Sequence, residues 1–174
     1  MRSTTSVSTS GGSSRWITVD SMQNAFGIGM GVTFSMNNTA TATVYHTFDP
    51  TDGPTHQVSV SCSGSTTVTV TDVNHGLISG DSVTITGATN SVINGTYDIT
   101  ALTDNTYSYT IASSQTYSGI VNCLSLRVFP HSTLVDIAGV RADGNYAFPI
   151  YACKVKMISG EGTVTLTVVQ GLGL

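Results

Sequence analysis

Apolar and polar residues alternate through much of this chain. The clearest case is Ala25–Ser35, where every second residue is apolar: Phe26, Ile28, Met30, Val32 and Phe34. A period of two predicts a strand with one buried face. The same pattern, or a β-branched run, predicts further strands at Arg15–Asp20, Thr39–Phe48, Gln57–Cys62, Thr66–Thr71, Tyr117–Arg127, Leu124–Phe129, Tyr146–Ile158 and Thr163–Gln170. The chain is therefore predicted to be all-β.

Turn signals divide these strands. Ser159–Gly162 predicts the turn of a C-terminal hairpin, and Ala142–Tyr146 (ADGNY) a tight turn. His131–Arg141 is the one segment with possible helical content and is interpreted as an irregular crossover. The first residues, 1–14, are rich in Ser, Thr and Gly and are expected to form a flexible N-terminal arm. The alternative is an arm that becomes ordered against a neighbouring subunit.

The segment His75–Ile111 has the pattern of a complete small β module. Gly80-Asp81 predicts a turn, Asn94-Gly95 a type I′ hairpin turn, and a polar turn precedes the third strand. Since the alternating style of the first part returns from Leu124, we interpret residues 57–123 as an inserted small β-barrel. Residues 15–56 and 124–174 would then form one outer β-sandwich, jelly-roll-like, around it.

Composition narrows the function. Only 9% of residues are charged, the net charge is −4 and the pI is about 5.3. An acidic chain with scattered arginines is not typical of nucleic-acid binders, and no run of about 18 apolar residues predicts a membrane span. The N-terminus lacks the apolar region of a secretory signal, so reduced thiols are expected. Weak electrostatic self-repulsion suits a protein that works inside a large assembly.

Candidate chemical groups are isolated from one another along the chain. His46, His56, His75 and His131 have no partner at a metal-ligand spacing, and His75 is expected to bond a backbone group. Asp49 and Asp52 lie beside Gly53 without the calcium-loop pattern, so turn formation is the better account. Trp16 is expected to anchor the core or an interface. No catalytic, cofactor-binding or metal-binding residue is predicted, and the protein is not expected to be an enzyme.

The three cysteines, Cys62, Cys123 and Cys153, have no CxxC spacing. Cys62 and Cys123 lie near the two ends of the predicted insertion. If its first and last strands pair, these thiols could approach each other, although free buried thiols are the favoured interpretation.

One resemblance adds to this picture. The residues His75-Gly76-Leu77, Gly80-Asp81, Val83-Thr84-Ile85, Asn94-Gly95-Thr96-Tyr97 and Asp104-Asn105-Thr106-Tyr107 resemble a small β-barrel module of tailed-bacteriophage virion proteins. The segments Val44–Asp49, Ala152–Met157 and Gly162–Gln170 are similar to small proteins encoded among phage head and tail genes. The lysine-bearing strand Cys153–Met157 departs from the arginine-containing version. The resemblance implies a virion component.

The leading functional hypothesis is a capsid decoration, or cement, protein that binds the major capsid protein as a homo-oligomer, with a homotrimer expected. It would be a structural protein of the virion, assembled in the host cytoplasm. The first alternative is a tail or neck component, such as an adaptor or fibre-base protein. The second is a host-glycan-binding module that uses exposed aromatics such as Tyr107, Tyr109 and Tyr117.

Overall fold

The computed structural model describes residues 2–22, 27–35 and 39–171, and of Arg2 it describes the backbone. Within these ranges the chain is all-β, as predicted, and its only helical element is a 3-10 turn at Ser91–Ile93. No helix there is long and apolar enough to cross a bilayer. The strands are β1 Arg2–Thr9, β2 Gly12–Ser13, β3 Ile17–Thr18, β4 Ile28–Phe34, β5 Thr41–Thr47, β6 His56–Thr71, β7 Ser82–Thr86, β8 Gly95–Asp98, β9 Thr100–Thr103, β10 Thr106–Leu126, β11 Phe129–Pro130, β12 Ile137–Ala138, β13 Ala142–Tyr146, β14 Ala152–Ser159 and β15 Val164–Gly171.

The chain divides into two compact units. The discontinuous unit comprises Met1–Thr51 and Phe129–Leu174, and the inserted unit comprises Asp52–Val128. The insertion predicted at 57–123 thus lies within the inserted unit, whose bounds are five residues further out at each end. The C-terminal connection is held inside the unit at Val128, whose amide donates to Asp81 Oδ1.

The discontinuous unit has two antiparallel sheets over one core. One sheet has the order β1-β15-β4-β13, and the other has the order β11-β5-β14-β2 with β12 beside β5 and β3 beside β14. Buried side chains of both sheets form a single cluster that includes Ile28 and Val32 from the first and Val44 and Val155 from the second. Alternate residues of the strands supply this core, as in Ile28–Phe34, so the arrangement is sandwich-like. Ala25 and Phe26, the start of the predicted strand, lie outside the described residues.

The N-terminal segment corrects a prediction. Residues 2–9, expected to be part of a flexible arm over 1–14, form β1 and pair with β15 in unbroken register from Arg2↔Gly171 to Thr9↔Val164. Val7 and Thr9 point into the core, while Ser6 and Ser8 bond the hydroxyls of Thr167 and Thr165 at 2.9 and 2.8 Å. Ser and Thr are common in linkers, but here a strand is favoured, because β15 offers an edge for pairing and its threonine hydroxyls face the serine hydroxyls of β1.

Three turn predictions are also wrong. Ser159–Gly162 does not turn a hairpin, because β14 and β15 lie in different sheets and do not pair. Ala142–Tyr146 forms β13 rather than a tight turn, and Gly144 is close-packed, since a Cβ there would lie 2.9 Å from Leu134 Cδ1. At the predicted Asn94-Gly95 hairpin, residues 87–94 form a longer loop that contains the 3-10 turn. Asn94 closes this loop because its side chain accepts from the Ala88 amide and donates to the Ala88 carbonyl, both at 2.9 Å.

The inserted unit is organised around two long strands. β6 pairs with β10, and β10 pairs along its other edge with β9 and then with β7, which pairs with β8. A straight strand of 16 residues would span about 50 Å. Yet Nε2 of His56, the first residue of β6, lies 2.9 Å from Oδ2 of Asp72, the residue after its end. The ribbon is therefore strongly bent, at Gly64 (φ +56°) and at register shifts after Thr110. β8 continues through Ile99 into β9, but closure into a barrel and jelly-roll connectivity stay predictions.

Candidate functional site

The discontinuous unit carries an exposed group of aromatic rings. We call Phe48, Phe129 and Phe148 the aromatic surface; their exposed fractions are 51%, 43% and 47%. Phe48 lies 5.5 Å from Phe129 and 6.1 Å from Phe148 between ring centroids. The three residues come from distant parts of the chain: the residue after β5, the start of β11 and the loop after β13. Clustered, exposed phenylalanines are uncommon unless another surface covers them.

His46 lies beneath these rings and is buried. Its imidazole stacks on Phe129 at 5.7 Å and meets Phe48 and Phe148 edge-on at 5.2 and 5.9 Å. The Tyr146 hydroxyl is 3.0 Å from His46 Nδ1. Burial, with a smaller repulsion from His131, lowers the pKa of His46 to about 4, so the ring is neutral at pH 7. It therefore acts as part of the packing under the aromatic surface.

His131 stabilises the segment that crosses behind Tyr146. Its Nδ1 accepts from the amides of Thr133 and Leu134 at 3.1 Å, and its Nε2 bonds the Asn145 carbonyl at 3.1 Å. All three contacts are to backbone groups, so both ring nitrogens are occupied by structural bonds. The crossover predicted at His131–Arg141 is indeed irregular, with the short β12 as its only strand within the described residues.

The loop around His75 and Gly80 is also held by hydrogen bonds between a histidine ring and backbone groups. His75 Nδ1 accepts from the Leu77 amide at 3.0 Å and its Nε2 bonds the Thr103 carbonyl at 2.9 Å, which confirms the predicted backbone role. Gly76 and Gly80 have φ of +63° and +100°, conformations that favour glycine. The loop thereby covers the edge of β9 that faces away from β10. A shallow depression of about 440 Å³ lies between this loop and residues 101–104.

Asp81 joins that loop to the end of the unit. It is 3% exposed; Oδ2 accepts from the Ile78 amide and Oδ1 from the Val128 amide, each at 2.8 Å. The first bond confirms the predicted turn at Gly80-Asp81. The second bond spans 47 residues, and no local pattern in the sequence announces it.

The cysteines are buried and free. Cys62 is opposite Tyr117 and Cys123 is opposite His56 in the β6–β10 ladder, so the two thiols are about 20 Å apart along the ribbon and cannot form a disulfide. Burial raises the pKa of Cys123, and that of Cys153 to about 12. Raised values keep these thiols protonated, the opposite of what a nucleophilic cysteine needs.

Two aromatic predictions are resolved by burial. Tyr107 and Tyr109 are 0% and 2% exposed and belong to the core of the inserted unit, so the expectation that they form a glycan platform is wrong for them. Tyr117 is partly buried and lines a groove. Trp16 is also partly buried, with the ammonium of Lys154 4.6 Å from its ring centroid; it is not part of the core cluster of its unit, so the anchoring role stays a prediction.

Groups of three or more His, Cys, Asp or Glu that could hold a metal ion do not occur within the described ranges. Comparisons with protein-family models, with curated proteins and with solved structures found no match to this chain. The resemblance to phage virion proteins therefore depends on the residues quoted above alone. Among these features, the aromatic surface stands out because three large apolar side chains lie together and remain about half exposed.

Proposed function

We propose that this protein is a non-enzymatic structural protein of a bacteriophage virion that decorates the capsid by binding the major capsid protein. The observation that carries the proposal is the aromatic surface. Three phenylalanines that remain about half exposed lose favourable burial in the isolated chain and regain it when a partner covers them. The resemblance of the quoted residues to a module of phage virion proteins supports a place in the virion. The low charge density suits a protein embedded among many neighbours.

The mechanism is burial repeated at many equivalent contacts. The aromatic surface would supply the apolar centre of each contact, and the neutral His46 beneath it avoids placing a charge under a desolvated interface. Side chains of the surrounding polar strands would form the rim. A homo-oligomer, with a trimer as the expected state, would multiply the contacts and raise the overall affinity without requiring a strong single contact.

The copy number of the protein in purified virions tests the assignment. Quantitative mass spectrometry against the major capsid protein should give hundreds of copies for a shell protein. Six or twelve copies would favour the alternative, a tail or neck component such as an adaptor or fibre-base protein. Absence from virions would reject both, and the native mass of the isolated protein would test the trimer.

A matched pair of substitutions tests the surface itself. The double variant Phe48→Ser with Phe148→Ser should weaken binding to undecorated shells by about thirtyfold or more, the effect of losing a central apolar anchor. Val140→Ser is the control, because Val140 is 62% exposed in the same unit and is not part of the aromatic surface. Equal binding by wild type and the double variant, with both proteins folded, would contradict the proposed role.

A further inference from the structure

The outer edge of β1 carries backbone groups without a partner. β1 is the edge strand of the sheet β1-β15-β4-β13, and in the described part of the chain it pairs with β15 alone, in a register without a bulge. Within the same ranges, the backbone of Ser3–Thr9 makes no hydrogen bond beyond those to β15. Because successive residues of a strand point their backbone groups to opposite sides, alternate residues of β1 present an amide and a carbonyl to the outside.

Natural proteins protect such edges with charges, bends or covering groups, and two other sheet edges of this chain have these devices. β13, at the opposite edge of the same sheet, carries the exposed Asp143, and His131 bonds its Asn145 carbonyl. β6, an edge strand of the inserted unit, is bent at Gly64. Ser3–Thr9 has no charged residue, no proline and no bulge. An open edge of this kind pairs readily with another strand, so we expect a partner strand to cover it.

The side chains of β1 match a second copy of the same strand. Thr4, Ser6 and Ser8 lie exposed on the outer face of the sheet, and the hydroxyls of Ser6 and Ser8 bond threonine hydroxyls of β15 at 2.9 and 2.8 Å. When two β1 strands pair antiparallel about a two-fold axis, hydroxyl-bearing side chains face one another on that surface in the same way. No like charges meet between Ser3 and Thr9, and a charged peptide would find no opposite charge there.

From these features we infer that two copies of this chain pair through β1, antiparallel and about a two-fold axis, so that two four-stranded sheets join into one continuous sheet. Each copy then supplies the partner for the outward backbone groups of the other. This interface is separate from the aromatic surface, whose residues belong to β11 and to the segments after β5 and β13. It also stands apart from the virion assignment, because it suits a decoration protein and a tail protein equally well.

Sedimentation equilibrium of the full chain tests the pairing. Protein concentrations from about 1 μM to about 1 mM cover the affinities expected of a small interface. A dimer supports the inference, and so does a hexamer, in which a three-fold contact adds to the two-fold one. A chain that stays monomeric over this range overturns it, and so does a trimer that associates no further.

A matched pair of double variants tests where the contact lies. Thr4→Lys with Ser6→Lys brings four lysines together around the two-fold axis and should weaken the association about tenfold. Thr33→Lys with Asn145→Lys adds the same charge to the same face of the sheet, on β4 and β13, and should associate as wild type does. Unchanged association of the β1 variant, with its thermal melt close to that of wild type, would overturn the inference.

Amide hydrogen exchange followed by NMR gives an independent readout on the wild-type chain. As the protein concentration rises, exchange should slow at alternate residues of Ser3–Thr9, those whose amides point away from β15. Amides of the inserted unit should keep their rates. Association that leaves every amide of β1 unchanged would overturn the inference, because the copies would then meet through another surface.

Discussion

The bond between Asp81 and Val128 makes a strong prediction about the inserted unit. The carboxylate is almost fully buried and accepts from two backbone amides at 2.8 Å, one in its own turn and one at the far end of the unit. Asp81→Ala removes both acceptors at once. Asp81→Asn keeps one acceptor oxygen and sets an NH₂ group against the other amide, so it should have a smaller effect in the same direction.

The magnitude follows from the two bonds. Hydrogen bonds to a charged acceptor contribute about 1.5–3 kcal/mol each, which gives a gross loss of about 3–6 kcal/mol. Removal of a buried carboxylate also removes its desolvation cost, and Ile78 is 68% exposed, so water can reach part of the freed backbone. We therefore expect Asp81→Ala to lower the free energy of unfolding of the inserted unit by about 3 kcal/mol, and Asp81→Asn by about half as much.

Hydrogen exchange resolved along the chain measures this, because each unit reports separately. Protection should fall in peptides from Asp52–Val128 and stay unchanged in those from the discontinuous unit. Urea titration followed by near-ultraviolet dichroism of the tyrosines should show the midpoint of the inserted unit shifted down by about 3 M for a slope near 1 kcal/mol/M. Asp104→Ala, an exposed carboxylate of the same unit, is the control.

A shift below about 0.5 kcal/mol, the range of ordinary surface substitutions, would refute the reasoning. The buried carboxylate would then contribute no more than an exposed side chain. An equal loss of protection in both units would also count against it, since the two bonds lie wholly within the inserted unit.

Three further predictions concern acid, thiols and glycines. Because burial holds the pKa of His46 near 4 and the unfolded chain keeps it near 6.5, the unfolded state takes the proton first; the free energy of unfolding should fall by about 3 kcal/mol as pH drops from 6.5 to 4, measured by tryptophan fluorescence in urea. If the unfolding free energy of a His46→Gln variant fell with pH as steeply as that of the wild type, His46 would not be the cause. A thiol assay on denatured, unreduced protein should count three free thiols, since the pairing of β6 with β10 holds Cys62 and Cys123 far apart. A count of one would mean that these two cysteines form a disulfide, which would contradict that strand pairing. Gly160→Ala should destabilise by about 2 kcal/mol or more in thermal melts, because φ is +85° and the methyl group would collide with the Thr39 backbone. Gly31→Ala, with nothing within 4 Å of the added methyl, is the matched case and should be neutral or slightly stabilising.

Local patterns predicted which side chains lie inside. The alternation of Ile28, Met30 and Val32 placed all three in the core, and the same reasoning holds for Val164, Leu166 and Val168 in β15. Strand bounds were harder. The runs Gln57–Cys62 and Thr66–Thr71 read as two strands, but they are one strand bent at Gly64. Gly and Ser favour turns locally, and only the partner β10 keeps the chain extended through them.

Pairing between distant strands also explains why the predictions for the N-terminal segment and for Ala142–Tyr146 were wrong. Ser and Thr in residues 1–14 are typical of a linker, and the pairing with β15 depends on a strand about 160 residues away. ADGNY has the composition of a turn, yet β4 offers a free edge and Leu134 requires a glycine opposite it. Composition indicates which conformations a segment can adopt, and pairing with a neighbouring strand decides which of them forms.

The sequence by itself determined the all-β class and the inward faces of the strands, because period-two burial is a property of neighbouring residues. Only the tertiary structure decided which distant groups meet. It brought Phe48, Phe129 and Phe148 together over His46 and bonded Asp81 to Val128. Such convergence depends on sheet register and strand bending, which arise from long-range pairing and leave no periodic trace in the chain.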